Sequence, residues 1–188
     1  MMRFLLAMSV AVLSPGCAVT DANGISGGQD ITAYISGPWR AYMSYYSSPS
    51  GYRCDVSTTS TNSLPVRAFF RSRVPKASVT TDTRTGERDG IAFYLAYQQA
   101  PDSRPVVSVN GKEFKLRAEG EWAYPPDVGT QAALLKAMKG SSVFRAMATL
   151  RSSAKDGTQT EDNFGLEGFE KQLASMNGYC LGRKEKSS

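Results

Sequence analysis

The sequence predicts a mainly β protein, a β-sandwich or partly open barrel of about 7–9 strands with two short helices. Three observations lead there. Apolar and polar residues alternate in short stretches through much of the chain after Trp39. Turn-forming runs such as Ser47-Ser48-Pro49-Ser50-Gly51 and Asn110-Gly111 separate those stretches. Helical spacing of apolar residues is confined to two segments, near 130–139 and 166–176.

Residues 1–18 read as a secretory signal peptide. Arg3 supplies a positive charge, residues 4–13 are apolar or small, and Ser14-Pro15-Gly16-Cys17-Ala18 provides a helix breaker and a small-residue exit. The run is too short to span a bilayer, which takes about 20 apolar residues. Two processing routes are open. Cleavage after Ala18 would release a soluble protein. Lipidation of Cys17 would anchor it, although Leu13 stands one position too far upstream for a regular lipoprotein box and Pro15 is unusual inside one. Residues 19–38, rich in Gly, Ser, Asp and Asn, read as a flexible leader. Residues 39–182 then form a single β-rich domain, and 183–188 a disordered tail.

Within that domain the first strand is the aromatic segment 39–46, and 52–58, carrying Cys54, is the second. In 64–71, Val66, Ala68 and Phe70 share one face, while Arg67, Phe69 and Arg71 share the other. A short strand at 77–81 precedes a polar turn at 83–90. In 91–98, Ile91, Phe93, Leu95 and Tyr97 alternate with Ala92, Tyr94, Ala96 and Gln98, the pattern of a central strand. Segments 106–109 and 112–118 flank Asn110-Gly111, the pair favoured where both turn residues need positive φ.

After Pro125-Pro126 the period changes. Thr130 is the expected N-cap of a helix ending at Gly140, with Ala133, Leu134, Ala137 and Met138 as its apolar stripe. A strand at 143–150 and a polar turn at 152–160 follow. The second helix places Leu166, Phe169, Leu173 and Met176 on one face. Asn177-Gly178 is expected to end it, with Cys180 just beyond.

Composition narrows the chemistry. The chain has no histidine, which excludes Ser-His-Asp and Cys-His nucleophiles, His-ligated zinc and imidazole pH switching. The net charge of +5 is a mild basic bias, and loss of Arg3 with the leader leaves +4. This is not the footprint of a nucleic-acid binder, and no cofactor is implied. Of three cysteines, Cys17 is removed or used up by either processing route. Cys54 and Cys180 remain. A disulfide between them is expected because free thiols outside the cell are a liability, the alternative being two buried thiols. Closing so long a loop contributes up to roughly 5 kcal/mol in the chain-entropy model.

Several constellations invite a chemical reading. Ser152-Ser153-Ala154-Lys155 has the Ser-x-x-Lys spacing of penicillin-recognising enzymes, but it sits in a predicted turn without a Lys-Thr-Gly partner. Asp82, Glu87 and Asp89 are interleaved with Arg84 and Arg88, which oppose a cation. Glu119 and Glu121 are the candidate acids of a His-free carboxylate hydrolase. Trp39, Tyr42, Tyr45 and Tyr46 offer either a stacking surface or core packing. The basic and aromatic stretch of Arg67, Phe69, Arg71, Arg73 and Lys76 is the candidate binding surface. In an exported protein its partner is an envelope or host protein or an anionic glycan rather than nucleic acid. Membrane contact would come only through lipid on Cys17.

The C-terminal third resembles the invasion-associated locus B family of proteobacterial exported proteins. The resemblance rests on the helix-ending run Ala133-Leu134-Leu135-Lys136-Ala137-Met138-Lys139-Gly140, on Thr160-Glu161-Asp162-Asn163-Phe164-Gly165-Leu166-Glu167-Gly168-Phe169, and on the helix before Cys180. Trp39 matches the family's N-terminal tryptophan. Gly165 stands where the family pattern has Ser, and the family's mid-domain cysteine pair is missing. The resemblance implies a non-enzymatic periplasmic or surface-associated protein linked to host-cell invasion or envelope function. Under it Leu166 and Phe169 fill a sheet–helix interface and Gly168 allows close approach. A similar Leu-x-Gly helix before a cysteine also occurs in secretion-system accessory proteins, so an accessory lipoprotein is the alternative.

Overall fold

The structure is a computed structural model, and it describes residues 35–36, 38–47, 49–64, 74–141 and 145–182. Cys17, Arg67, Phe69, Arg71 and Arg73 lie outside the described residues, as do the leader and the tail.

Two antiparallel sheets face each other. The strands are β1 (Ile35–Ser36), β2 (Trp39–Ser47), β3 (Ser50–Thr59), β4 (Asn62–Leu64), β5 (Lys76–Asp82), β6 (Glu87–Tyr94), β7 (Val106–Val109), β8 (Lys112–Lys115), β9 (Arg117–Glu119), β10 (Trp122–Tyr124), β11 (Met147–Ser153) and β12 (Gln159–Gly165). The larger sheet has the order β1-β2-β3-β5-β6-β10-β9 and the smaller one β4-β12-β11-β7-β8. The fold is therefore a β-sandwich and not a closed barrel. The described residues hold twelve strands rather than the expected 7–9, because β1, β4, β9 and β10 are only two or three residues long and too short to show a period.

The predicted hairpin is present. Val109 pairs with Lys112, and Asn110 and Gly111 have φ of 49° and 74°. The chain then changes sheets at Leu116, whose N–H donates to Pro105 O, so that β8 edges one sheet and β9 the other. β6 ends earlier than its alternation suggests. Leu95 N–H turns to Glu121 O and Ala96 takes φ 63°, although Leu95 and Tyr97 remain buried.

Helix α1 (Val128–Gly140) buries Leu134 and Met138. Its N-cap is Asp127, not Thr130. The Asp127 carboxylate accepts the Thr130 N–H at 2.8 Å and the Thr130 hydroxyl at 2.9 Å, which satisfies an orphan donor of the first turn. These bonds hold the exposed carboxylate below the usual range, the Thr130 N–H contributing most.

Helix α2 (Phe169–Gly182) starts later and runs further than expected. Leu166 is buried ahead of it, and Gly168 supplies φ 74° at the entry. Asn177 and Gly178 do not end the helix. Asn177 is held from outside: its side chain accepts from Thr81 Oγ1 at 3.1 Å and donates to Asp89 at 2.8 Å. One turn on, Cys180 forms a disulfide with Cys54 of β3, with Cα atoms 6.2 Å apart. Phe169, Leu173, Met176 and Cys180 line the buried face. A seven-stranded sheet is wider than its five-stranded partner, and α2 covers part of the inner face that the smaller sheet leaves. Trp39 packs on Phe169 with ring centroids 4.6 Å apart, and Phe93 meets Phe164 across the sheets at 5.7 Å.

Candidate functional site

The outer face of the larger sheet carries aromatic, hydroxyl and charged side chains. Alternation fixes what it shows. On β3, Cys54, Val56 and Thr58 point inward and Arg53, Asp55, Ser57 and Thr59 outward; on β5, Ala77 and Val79 point inward and Lys76, Ser78 and Thr80 outward. Register then builds rows across the strands. Arg40, Ser57, Ser78, Ala92, Tyr124 and Arg117 form one, and Thr59, Lys76, Tyr94, Trp122 and Glu119 form the next. The middle of the face is floored by small side chains, Ser57, Ser78, Gly90 and Ala92, so it is concave.

One wall is aromatic. Trp122 and Tyr124 lie side by side on β10, 6.2 Å apart and only 20° from parallel, and Tyr94 tilts against Trp122 at 5.0 Å. Trp122 is exposed, and with Tyr124, Arg117, Ser78 and Ala92 it borders a depression of about 400 Å³. Burial pushes the Tyr124 hydroxyl above its ordinary pKa; nearby Glu119 adds to this and Arg117 opposes it. A second depression of about 540 Å³ lies toward β2, bordered by Arg40, Tyr42, Ser57, Thr59, Thr61 and Lys76.

The two ends of this face differ in charge. At one end two arginines have anions. Arg53 and Asp55 pair at 3.0 Å, and Thr80 Oγ1 donates to Asp55 at 2.6 Å. Arg84 pairs with Asp82 through two bonds and lies 3.5 Å above the Tyr46 ring. The Arg84 guanidinium holds the buried Asp82 below the usual carboxylate range. Gly51 makes the crossing possible, because a Cβ there would lie 2.6 Å from Arg84 Cγ. At the other end, Arg40 and Lys76 are exposed cations without an ion pair among the described residues.

The sequence-predicted candidates separate. Lys76, the one described member of the basic stretch, stands on the concave face. The aromatic cluster near the start splits by alternation. Trp39 is core, with its N–H donating to Gly165 O at 2.8 Å. Tyr42 and Tyr46 face outward, and Tyr45 packs on Tyr52 on the opposite side. Ser152 lies in β11, where its hydroxyl engages Gln99 and Ser103, while Lys155 is in the turn beyond. Asp82 goes to Arg84 and Asp89 to Asn177. Glu119 pairs with Arg117 at 3.4 Å, and Glu121 accepts from Tyr94 Oη at 3.2 Å. Sequence reasoning missed the Trp122–Tyr124 platform. Its signal was two aromatics flanking Ala123, a spacing that puts both on one side of a strand.

No helix among the described residues is long and apolar enough to cross a membrane. Compared with known protein families, curated proteins and solved structures, the chain matches none.

Proposed function

We propose that this is an exported, non-enzymatic binding protein of the bacterial envelope, acting through the outer face of its larger sheet on a glycan in envelope function or host contact. The observation that carries this reading is the concave face itself. A near-parallel pair of exposed Trp122 and half-buried Tyr124 borders a floor of small residues, with hydroxyls and cations beside it. Flat sugar faces stack on such rings, and hydroxyl and charged groups orient them. The Cys54–Cys180 disulfide fits an oxidising compartment. The likeness to the invasion-associated locus B family, with residues 1–18 as an export signal, supports the same reading, and Cys17 lipidation is its membrane-anchored form. Glu119 and Glu121 are engaged by Arg117 and Tyr94, which favours binding over carboxylate hydrolysis.

The test is a Trp122→Ala/Tyr124→Ala double variant, screened against wild type on an array of bacterial and host glycans. Binding is expected to fall about tenfold or more with melting behaviour retained. A folded variant that binds as wild type does would overturn the assignment of this face. Replacing Arg67, Arg71 and Arg73 together with Ser examines the basic stretch separately.

A further inference from the structure

We infer that the depression beside β2 is an anion subsite, and that the glycan is therefore acidic, with a carboxylate seated between Arg40 and Lys76. This rests on the glycan reading above. Arg40 on β2 and Lys76 on β5 flank β3, two strand spacings across the sheet and two residues along it, about 12 Å apart. Both side chains are long enough to converge on a group lying over β3. Among the described residues no carboxylate borders this depression, and neither cation has an ion pair. The contrast with the other end of the same face is what points to a ligand, since Arg53 and Arg84 there already have Asp55 and Asp82.

The floor suits a sugar rather than a bare phosphate. Between the cations lie the outward hydroxyls of Ser57 and Thr59, neither engaged by another side chain, with Tyr42 at the border. Hydroxyls match ring hydroxyls, and Tyr42 offers a ring face. This depression and the Trp122–Tyr124 platform share one face, with Ser57 and Ser78 as adjacent partners between them. An oligosaccharide laid across the strands would meet the platform with one unit and the cations with an acidic one.

The experiment compares uronate- and sialate-containing oligosaccharides with their carboxyl-reduced forms, on wild type and on Arg40→Ser/Lys76→Ser. Anionic phosphatidylglycerol vesicles serve as a separate arm. Wild type is expected to bind the acidic forms at least tenfold more tightly, and the double variant to lose that preference while keeping its residual affinity for the reduced forms. Equal binding of acidic and reduced forms would overturn the anion subsite and leave the glycan reading standing. Binding of vesicles but of no oligosaccharide would overturn both. An acidic preference that survives the double variant would remove Arg40 and Lys76 from the assignment.

Discussion

The indole N–H of Trp39 donates to the carbonyl of Gly165 at 2.8 Å, across 126 residues of chain. The bond ties the first long strand of the larger sheet to the end of the last strand of the smaller one, and Trp39 is wholly buried around it. Trp39→Phe would keep a ring but leave the Gly165 carbonyl unpaired and a void beside Phe169. A loss of about 2–4 kcal/mol is expected in urea unfolding. Tyr45→Ala, an exposed aromatic on the neighbouring stretch, should cost less than about 1 kcal/mol. Equal losses would show that the Trp39 contact is not structural.

Cys54→Ser/Cys180→Ser removes a covalent tie between β3 and α2. The loop closed is long, so a loss of about 4–5 kcal/mol is expected from chain entropy, reduced by any relaxation of the native state. Thermal melting with and without reductant gives the measurement. Wild type should fall to the level of the double Ser variant on reduction, and that variant should not respond to reductant.

Asp82 and Arg84 predict an acid-side pH dependence. The pairing lowers the Asp82 pKa in the folded state, so its stabilisation is complete above the ordinary aspartate value of about 3.9 and is lost as pH falls through the lower folded value. Asp82→Asn should be about 2 kcal/mol less stable at neutral pH. It should also lose less stability than wild type on acidification below about pH 4. Parallel wild-type and variant curves through that range would exclude the pair as the cause.

Asn177 is expected to hold the last turns of α2 in place. Asn177→Ala breaks the bonds to Thr81 and Asp89 and should cost about 1–2 kcal/mol. Amide hydrogen exchange should accelerate from residue 177 onward and stay unchanged around Phe169. A uniform change along the helix would point to a global effect.

Much of this fold was legible where local chemistry and tertiary context agree. Asn110-Gly111 demands positive φ on its own account, and the turn is where that demand puts it. Leu134 and Met138 are one turn apart and both go to the core. The cysteine pair followed from parity and compartment. Legibility failed where burial is polar or elements are short. β12 turns Thr160, Asp162 and Phe164 inward, and two of those three are polar, so the segment shows no apolar alternation. Thr160 is satisfied by Tyr97 Oη, 63 residues away in sequence, and by Ser152 O on the paired strand. Asn177-Gly178 reads as a helix stop, and only contacts from β5 and β6 override it. The concave face was half visible. Lys76 was picked out, but the platform needs β10, three residues long, to be placed beside β6 before Trp122 and Tyr94 can meet.

Two long-range ties among the described residues share a direction. Trp39 waits for Gly165 and Phe169, and Cys54 waits for Cys180. Synthesis delivers the N-terminal partner of each first and the C-terminal partner at its end. Until the final strand and helix have emerged, the inner side of β2 and β3 has nothing to close it. A nascent chain of this design stays open and threadable through most of its elongation, and it locks only when its last segment arrives. A product cut short before residue 165 would leave Trp39 and a free Cys54 thiol uncovered, marks by which quality control can recognise an unfinished chain.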